Sequence, residues 1–140
     1  PDGKIVVAGA FTNETGLTNS NLARINRDGT FDSSYKPLIN GEIFALALQS
    51  DGKLIFGGSF DNVNGVSRSR IARLNSDGSL DTSYNPQANT NVRALILQSD
   101  GKLIVGCGDG SLELTMVQPE GGKRMSATDY LRGKKPEHFA

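Results

Sequence analysis

Asp2-Gly3-Lys4 recurs as Asp51-Gly52-Lys53 and again as Asp100-Gly101-Lys102, a step of 49 residues kept twice without insertion or deletion. A chain built this way folds as a row of like units, each burying its apolar faces against its neighbours. The copy extends well beyond the turn: Phe11 aligns with Phe60, Ala23-Arg24 with Ala72-Arg73, Tyr35 with Tyr84 and Pro37 with Pro86. Roughly half the aligned positions of the first two units are identical. Most of the others are conservative, such as Ile5 for Leu54, Val6 for Ile55 and Leu22 for Ile71.

Within a unit, the runs Ile43 to Gln49 and Lys53 to Phe60 flank the polar turn Ser50-Asp51-Gly52, whose Asp-Gly pair suits a β-hairpin. Arg70 to Asn75, then Ser76-Asp77-Gly78, then Ser79-Leu80-Asp81 repeat that grammar in a second, shorter hairpin. Four short strands per unit follow, a count that fits propeller blades and, nearly as well, a β-solenoid. Ala45-Leu46-Ala47-Leu48 and Leu54-Ile55-Phe56 are apolar at successive positions, so both faces of their strands need cover, which neighbouring blades supply. Gly57-Gly58 then allow close backbone approach. Tryptophan is absent, which sets the chain apart from WD-type blades.

The blocks Asp51 to Phe60, Arg70 to Asn75 and Asp77 to Tyr84, repeated in order from residue 1, resemble the bacterial delta-sixty repeat family over residues 1–107. The resemblance implies a β-propeller and occurrence in large bacterial proteins that are secreted, held at the cell surface or part of a phage particle, and it does not imply an enzyme. From Gly108 the repeat stops. Residues 108–133, with the block Gln118-Pro119-Glu120-Gly121-Gly122-Lys123-Arg124-Met125-Ser126-Ala127, resemble the C-terminal end of methionyl-tRNA formyltransferase, where a last strand leads into a short helix. Here Leu112, Leu114 and Met116 alternate as in a strand, and Ser126 with Asp129 suits the start of a helix from Ala127 to Arg132.

The expected architecture is therefore all-β. Propeller-type blades of about four short antiparallel strands occupy residues 1–107 (units 1–50 and 51–99, and the start of a third at 100–107), and a strand, short helix and tail occupy 108–140. The chain opens at Pro1, inside a motif that recurs in mid-repeat, which suggests a piece of a longer protein. Two and a fraction blades do not close a ring of four to eight, so other copies of the chain or missing neighbouring blades are the expected partners.

Composition narrows the chemistry. Fifteen basic and fifteen acidic side chains cancel, so no long-range field draws the chain to nucleic acid or to an anionic membrane. No apolar run reaches the length of a membrane span. The single cysteine, Cys107, excludes an internal disulfide and reads as a buried thiol in an apolar strand. His138 is the only histidine, so neither a catalytic triad nor a histidine metal cluster can be assembled, and no glycine-rich phosphate loop appears. No catalytic residue, metal ligand or cofactor is expected. Asp28/Asp32 and Asp77/Asp81 could offer paired carboxylates to calcium, but the stronger reading has Asp28 and Asp77 bonding the amides of their own turns.

Two positions for contact with a partner remain. The long polar stretches Thr12 to Asn21 and Asp61 to Arg70 join strands on a repeated scaffold, where binding faces form, and Asn19 and Asn21 in one become Arg68 and Arg70 in the other. These four residues are the candidate contacts for a carbohydrate or protein partner. In the tail, Lys123, Arg124 and Arg132 could meet RNA phosphates if the formyltransferase resemblance carries function. The function expected is a non-catalytic structural or partner-binding module. An RNA-binding fusion is one alternative, and an engineered chimera without a biological task is another.

Overall fold

The computed structural model describes residues 2–9, 21–107, 116–117 and 125–126, the last four by backbone alone. Among them every regular element is a strand: β1 (Ile5–Ala8), β2 (Leu22–Ile25), β3 (Ile43–Leu48), β4 (Leu54–Gly58), β5 (Asn62–Val63), β6 (Val66–Ser67), β7 (Ile71–Leu74), β8 (Val92–Leu97), β9 (Leu103–Cys107), β10 (Met116–Val117) and β11 (Met125–Ser126). The helix expected from Ala127 to Arg132 lies outside the described residues.

The repeat sets the sheets. β1, β4 and β9 are the same strand in successive units, each following its Asp-Gly-Lys turn. The middle sheet is the fullest, in the order β3-β4-β7, with the first sheet formed by β1-β2 and the third by β8-β9, all antiparallel. A sheet thus begins at Ile43, ahead of the Asp51 turn, and the Asp51 and Asp100 turns lie between paired strands of one sheet. The β3-β4 and β8-β9 pairs share one irregularity, a register shift between Ile43 and Ala45 that recurs between Val92 and Ala94. The fourth strand expected from Ser79-Leu80-Asp81 contracts to a single bridge, Leu74 to Leu80, matched by Ile25 to Phe31. Its extension is cut short because Asp81 turns the chain, its carbonyl accepting from the Tyr84 amide at 3.2 Å.

Turn chemistry accounts for the hairpins. Between β3 and β4 the Gln49 amide donates to Lys53 O at 2.8 Å and Gly52 takes φ 83°, which its missing Cβ permits. The Gln98 and Lys102 pair repeats this at 2.8 Å.

Alternation along each strand then builds two cores. Leu54, Phe56, Ala72 and Leu74 pack toward the first sheet with Leu22, Val6 and Ala8. Ile55, Ile71 and Ala47 pack toward the third with Val92, Val105 and Cys107, where the buried thiol fits its sequence reading. β4 and β7 of the middle sheet are covered on both faces, as their continuous apolar runs require, whereas Phe44 and Leu48 of β3 stay exposed.

Close stacking depends on Gly57. A Cβ built there would lie 2.2 Å from Val92 Cγ1 and 2.7 Å from its Cβ, and Val92 is fully buried. Gly57→Ala is expected to destabilise the protein by about 2 kcal/mol through overpacking. Chemical denaturation checks this, and an unchanged midpoint would mean the second and third sheets do not meet as described.

Candidate functional site

Each of the first two units carries one charged cluster, drawn from the lysine of its Asp-Gly-Lys turn and from the hairpin that follows. In the second unit Lys53 reaches from the head of β4 to donate from Nζ to Asp81 Oδ2 at 2.9 Å. Arg73, on β7, donates to the same oxygen from Nε at 3.1 Å and approaches it at 2.9 Å through Nη2. The other carboxylate oxygen accepts from Ser83 Oγ at 2.6 Å and from its amide at 3.0 Å. The Arg73 guanidinium lies 4.4 Å over the Tyr84 ring and donates to Gln49 Oε1 at 3.3 Å. The first unit repeats the arrangement. Lys4 and Arg24 meet Asp32 Oδ2 at 2.7 and 2.9 Å, Ser34 Oγ donates to Oδ1 at 2.5 Å, and Arg24 lies 4.2 Å over Tyr35. Arg24 also donates from Nη1 to Ser76 O at 2.6 Å, tying the first sheet to the second.

The electrostatics follow from these contacts. The Lys4 ammonium and the Ser34 hydroxyl, with Arg24, hold the Asp32 carboxyl well below the usual carboxylate range. Burial pushes Asp81 upward, but the Ser83 hydroxyl, Lys53 and Arg73 overcome it and its carboxyl also ends far below that range. Burial pushes the Tyr35 phenol up to about 12 and moves Tyr84 in the same direction. At neutral pH the carboxylates are ionised, the phenols are neutral, and both oxygens of each carboxylate accept from donors within the cluster. These contacts tie the strand after each Asp-Gly-Lys turn to the hairpin that follows it.

The paired carboxylates do not converge. Asp28 and Asp77 accept from the amides of Thr30 and Ser79 at 2.9 and 2.8 Å, closing their own turns, and the hydroxyls of those residues hold both carboxyls below their ordinary value. Asp32 and Asp81 serve the cation clusters instead.

Of the candidate contact residues, Asn19 lies outside the described residues. Asn21 donates from Nδ2 to Ile39 O at 3.2 Å, and Ile39 in turn bridges Val63 of the second stretch. Arg68 is only 5 % exposed, its Nη1 donating to Ser67 O at 2.8 Å. Arg70 is half-buried at φ 60°, its amide bonded to Phe60 O at 3.0 Å and its Nη1 3.4 Å from Ala88 O. The stretch is exposed at its tip, where β5 and β6 form a miniature hairpin closed by Asn64 and Gly65 at φ 53° and 81°, the left-handed pair that an Asn-Gly turn supplies. Asn64 fixes it to the preceding segment, accepting at Oδ1 from the Leu38 amide and donating its own amide to Leu38 O, both at 2.7 Å. Asn64, Gly65, Val66 and Ser67 are exposed.

A cleft of about 510 Å³ opens between the first and middle sheets, lined by Lys4, Val6 and Arg24 from the first and by Leu48, Asp51 and Leu54 from the second. Lys123, Arg124 and Arg132 lie outside the described residues; in the tail the backbone pairs β10 with β11. Sequence reasoning misses the lysine of each Asp-Gly-Lys turn, the stacked tyrosines and Gln49. All recur between the units, and that recurrence is the signal that could have found them.

No curated protein and no solved structure matches this chain. The profile described as "Formyl transferase, C-terminal domain" matches residues 76–135, which takes in the resembling tail and also reaches upstream across β8 and β9. The profile described as "Domain of unknown function (DUF5122) beta-propeller" matches residues 1–35 and 49–84. Those two segments end at Tyr35 and Tyr84 and so contain both copies of the charged cluster. They amount to just over half of the chain, and the protein belongs to this beta-propeller family.

Proposed function

We propose that the chain is a non-catalytic propeller module with a structural and partner-binding role, part of a larger bacterial surface, secreted or fibre protein or of an assembly of its own copies. The observation that carries this is a mismatch of burial between equivalent faces. Ala47 and Ile55 of the middle sheet are buried against the third, yet their counterparts 49 residues on, Ile96 and Ile104, are exposed, Ile96 at 58 %. At the other end Ile5 is 60 % exposed where its counterpart Leu54 is buried. The outer faces of the first and third sheets are thus two halves of an interface the chain already makes internally, and like blades are the partners that fit them.

In this reading the β5-β6 tip is the contact face for a carbohydrate or protein partner, because it is exposed, internally hydrogen-bonded and carried on a scaffold whose charged side chains bond one another. The test is binding to arrays of bacterial surface glycans and cell-envelope proteins by the wild type and by Val66→Glu, an exposed position whose change leaves the fold intact. Binding that drops about tenfold in Val66→Glu at an unchanged thermal midpoint supports the tip as contact face. Equal binding by both proteins, or none by either, removes it.

The formyltransferase match favours a second reading, in which Lys123, Arg124 and Arg132 hold an RNA. Binding of tRNA at low salt that is lost in Lys123→Ala/Arg124→Ala would support it, and its absence at low salt would remove it.

A further inference from the structure

We infer that Asn64 is a site of self-modification: the backbone nitrogen of Gly65 attacks its side chain, and water then converts it to aspartate and isoaspartate at the tip of the β5-β6 hairpin. The sequence holds two Asn-Gly steps, Asn40-Gly41 and Asn64-Gly65. Glycine puts no side chain beside the attacking nitrogen, so these are the asparagines of the chain at which such attack is least hindered. One repeat step away, Thr15 stands in place of Asn64 and Thr90 in place of Gly41, so the repeat itself demands neither.

The fold holds the two steps differently. Asn40 Oδ1 accepts from the amides of Asp61 and Asn62 at 3.1 and 2.9 Å, and its Nδ2 donates to Asp61 Oδ1 at 2.5 Å. Both ends of its side-chain amide are engaged, one of them by a carboxylate. Gly41 is packed as well: a Cβ built there would lie 2.7 Å from Phe60 Cα, and Phe60 is buried. For Asn40 to meet Gly41 N, three hydrogen bonds must break and the peptide must move into filled space.

Asn64 is held by a single side-chain bond. Its Oδ1 accepts from the Leu38 amide at 2.7 Å, and among the described residues nothing bonds its Nδ2. Gly65 has open space around it, with no atom within 4 Å of a Cβ built there, and its amide donates to Asn62 Oδ1 at 2.9 Å in exposed surroundings. Two hydrogen bonds, both open to exchange with water, stand between this step and reaction.

Water is the one co-reactant. Hydroxide takes the Gly65 amide proton, the nitrogen bonds to Asn64 Cγ, and the Cγ–Nδ2 bond breaks, its electron pair leaving with Nδ2 as ammonia once water supplies a proton. A succinimide ring remains. Water opens it at the side-chain carbonyl to leave isoaspartate's normal isomer, aspartate, or at the main-chain carbonyl to leave isoaspartate; nothing is oxidised or reduced. Aspartate adds a negative charge to the exposed tip. Isoaspartate also routes the main chain through Cβ, one atom longer, which a two-residue turn does not absorb. The chemistry stands whether or not the tip binds a partner.

The full chain is incubated in mildly alkaline buffer, folded and in denaturant, and tryptic peptides 28–53 and 54–68, which carry Asn40 and Asn64, are followed by mass for conversion of amide to acid. Fragmentation places the new acid and separates aspartate from isoaspartate. In the folded chain Asn64 is expected to convert at least about tenfold faster than Asn40, with isoaspartate among its products, and in denaturant the two rates should come within about threefold of each other. Equal rates in the folded chain, faster conversion of Asn40, or an Asn64 that stays intact while the denatured chain reacts would overturn the proposal. The same tenfold gap in denaturant would overturn it too, since the fold would then not be what separates the two steps.

Discussion

Asp81→Ala is expected to lower the free energy of unfolding by about 3 kcal/mol, because it removes the one anion that Lys53 and Arg73 share and leaves a buried guanidinium uncompensated. The Arg73 and Asp81 side chains are each only 8 % exposed, so water replaces little of what is lost. Ser83 loses the acceptor of its hydroxyl and amide together, and the second hairpin loses its tie to the first. Denaturant titration measures the loss. A change of a few tenths of a kcal/mol would mean that the cluster is a solvated surface pair of ordinary strength.

The same residues give the protein an acid dependence whose sign is set by the depressed carboxyls. Asp32 and Asp81 titrate below their unfolded value of about 3.9, so their contribution is fully present above that pH and is lost as the pH falls from there through the lower folded values. Denaturant midpoints should hold steady between about pH 5 and 7 and fall below pH 4, and the fall should be shallower in Asp81→Asn. Equal slopes in wild type and variant would contradict the assignment.

Phe56→Ala is expected to cost about 4 kcal/mol, transfer and cavity terms together. Phe56 is fully buried between the first and middle sheets, with its ring centroid 4.9 Å from that of Phe60. Its neighbours are held from both sides: Leu54 and Leu74 by the β4-β7 ladder, and Val63 by the bridge to Ile39. Such a wall cannot collapse into the space of a missing ring. Thermal unfolding of the variant checks this, and a loss under about 1 kcal/mol would place Phe56 at a loose margin instead.

Much of this architecture is legible in the order of the residues. The fixed step, the Asp-Gly turns and strands apolar on both faces lead directly to stacked antiparallel sheets, and the close approach at Gly57 is the one its position after Leu54-Ile55-Phe56 suggests. The β5-β6 hairpin is hidden because its arms, Asn62–Val63 and Val66–Ser67, are too short to show alternation. Arginine at 68 reads as surface, yet the chain folds it inward, leaving Val66 and Ser67 outside. The role of Asp81 is illegible for a different reason. Its lysine lies 28 residues away and its arginine 8, on strands of separate hairpins, so local spacing shows only a turn.

The open outer faces bear most directly on the account, and the solution mass tests it. Multi-angle light scattering of the chain should return a discrete assembly of several copies, with Ile96 and Ile104 of one against Ile5 of the next, its blades together closing a ring. A compact monomer would contradict the account, since the exposed faces would then need no neighbour and the repeat would be a self-sufficient stack of sheets.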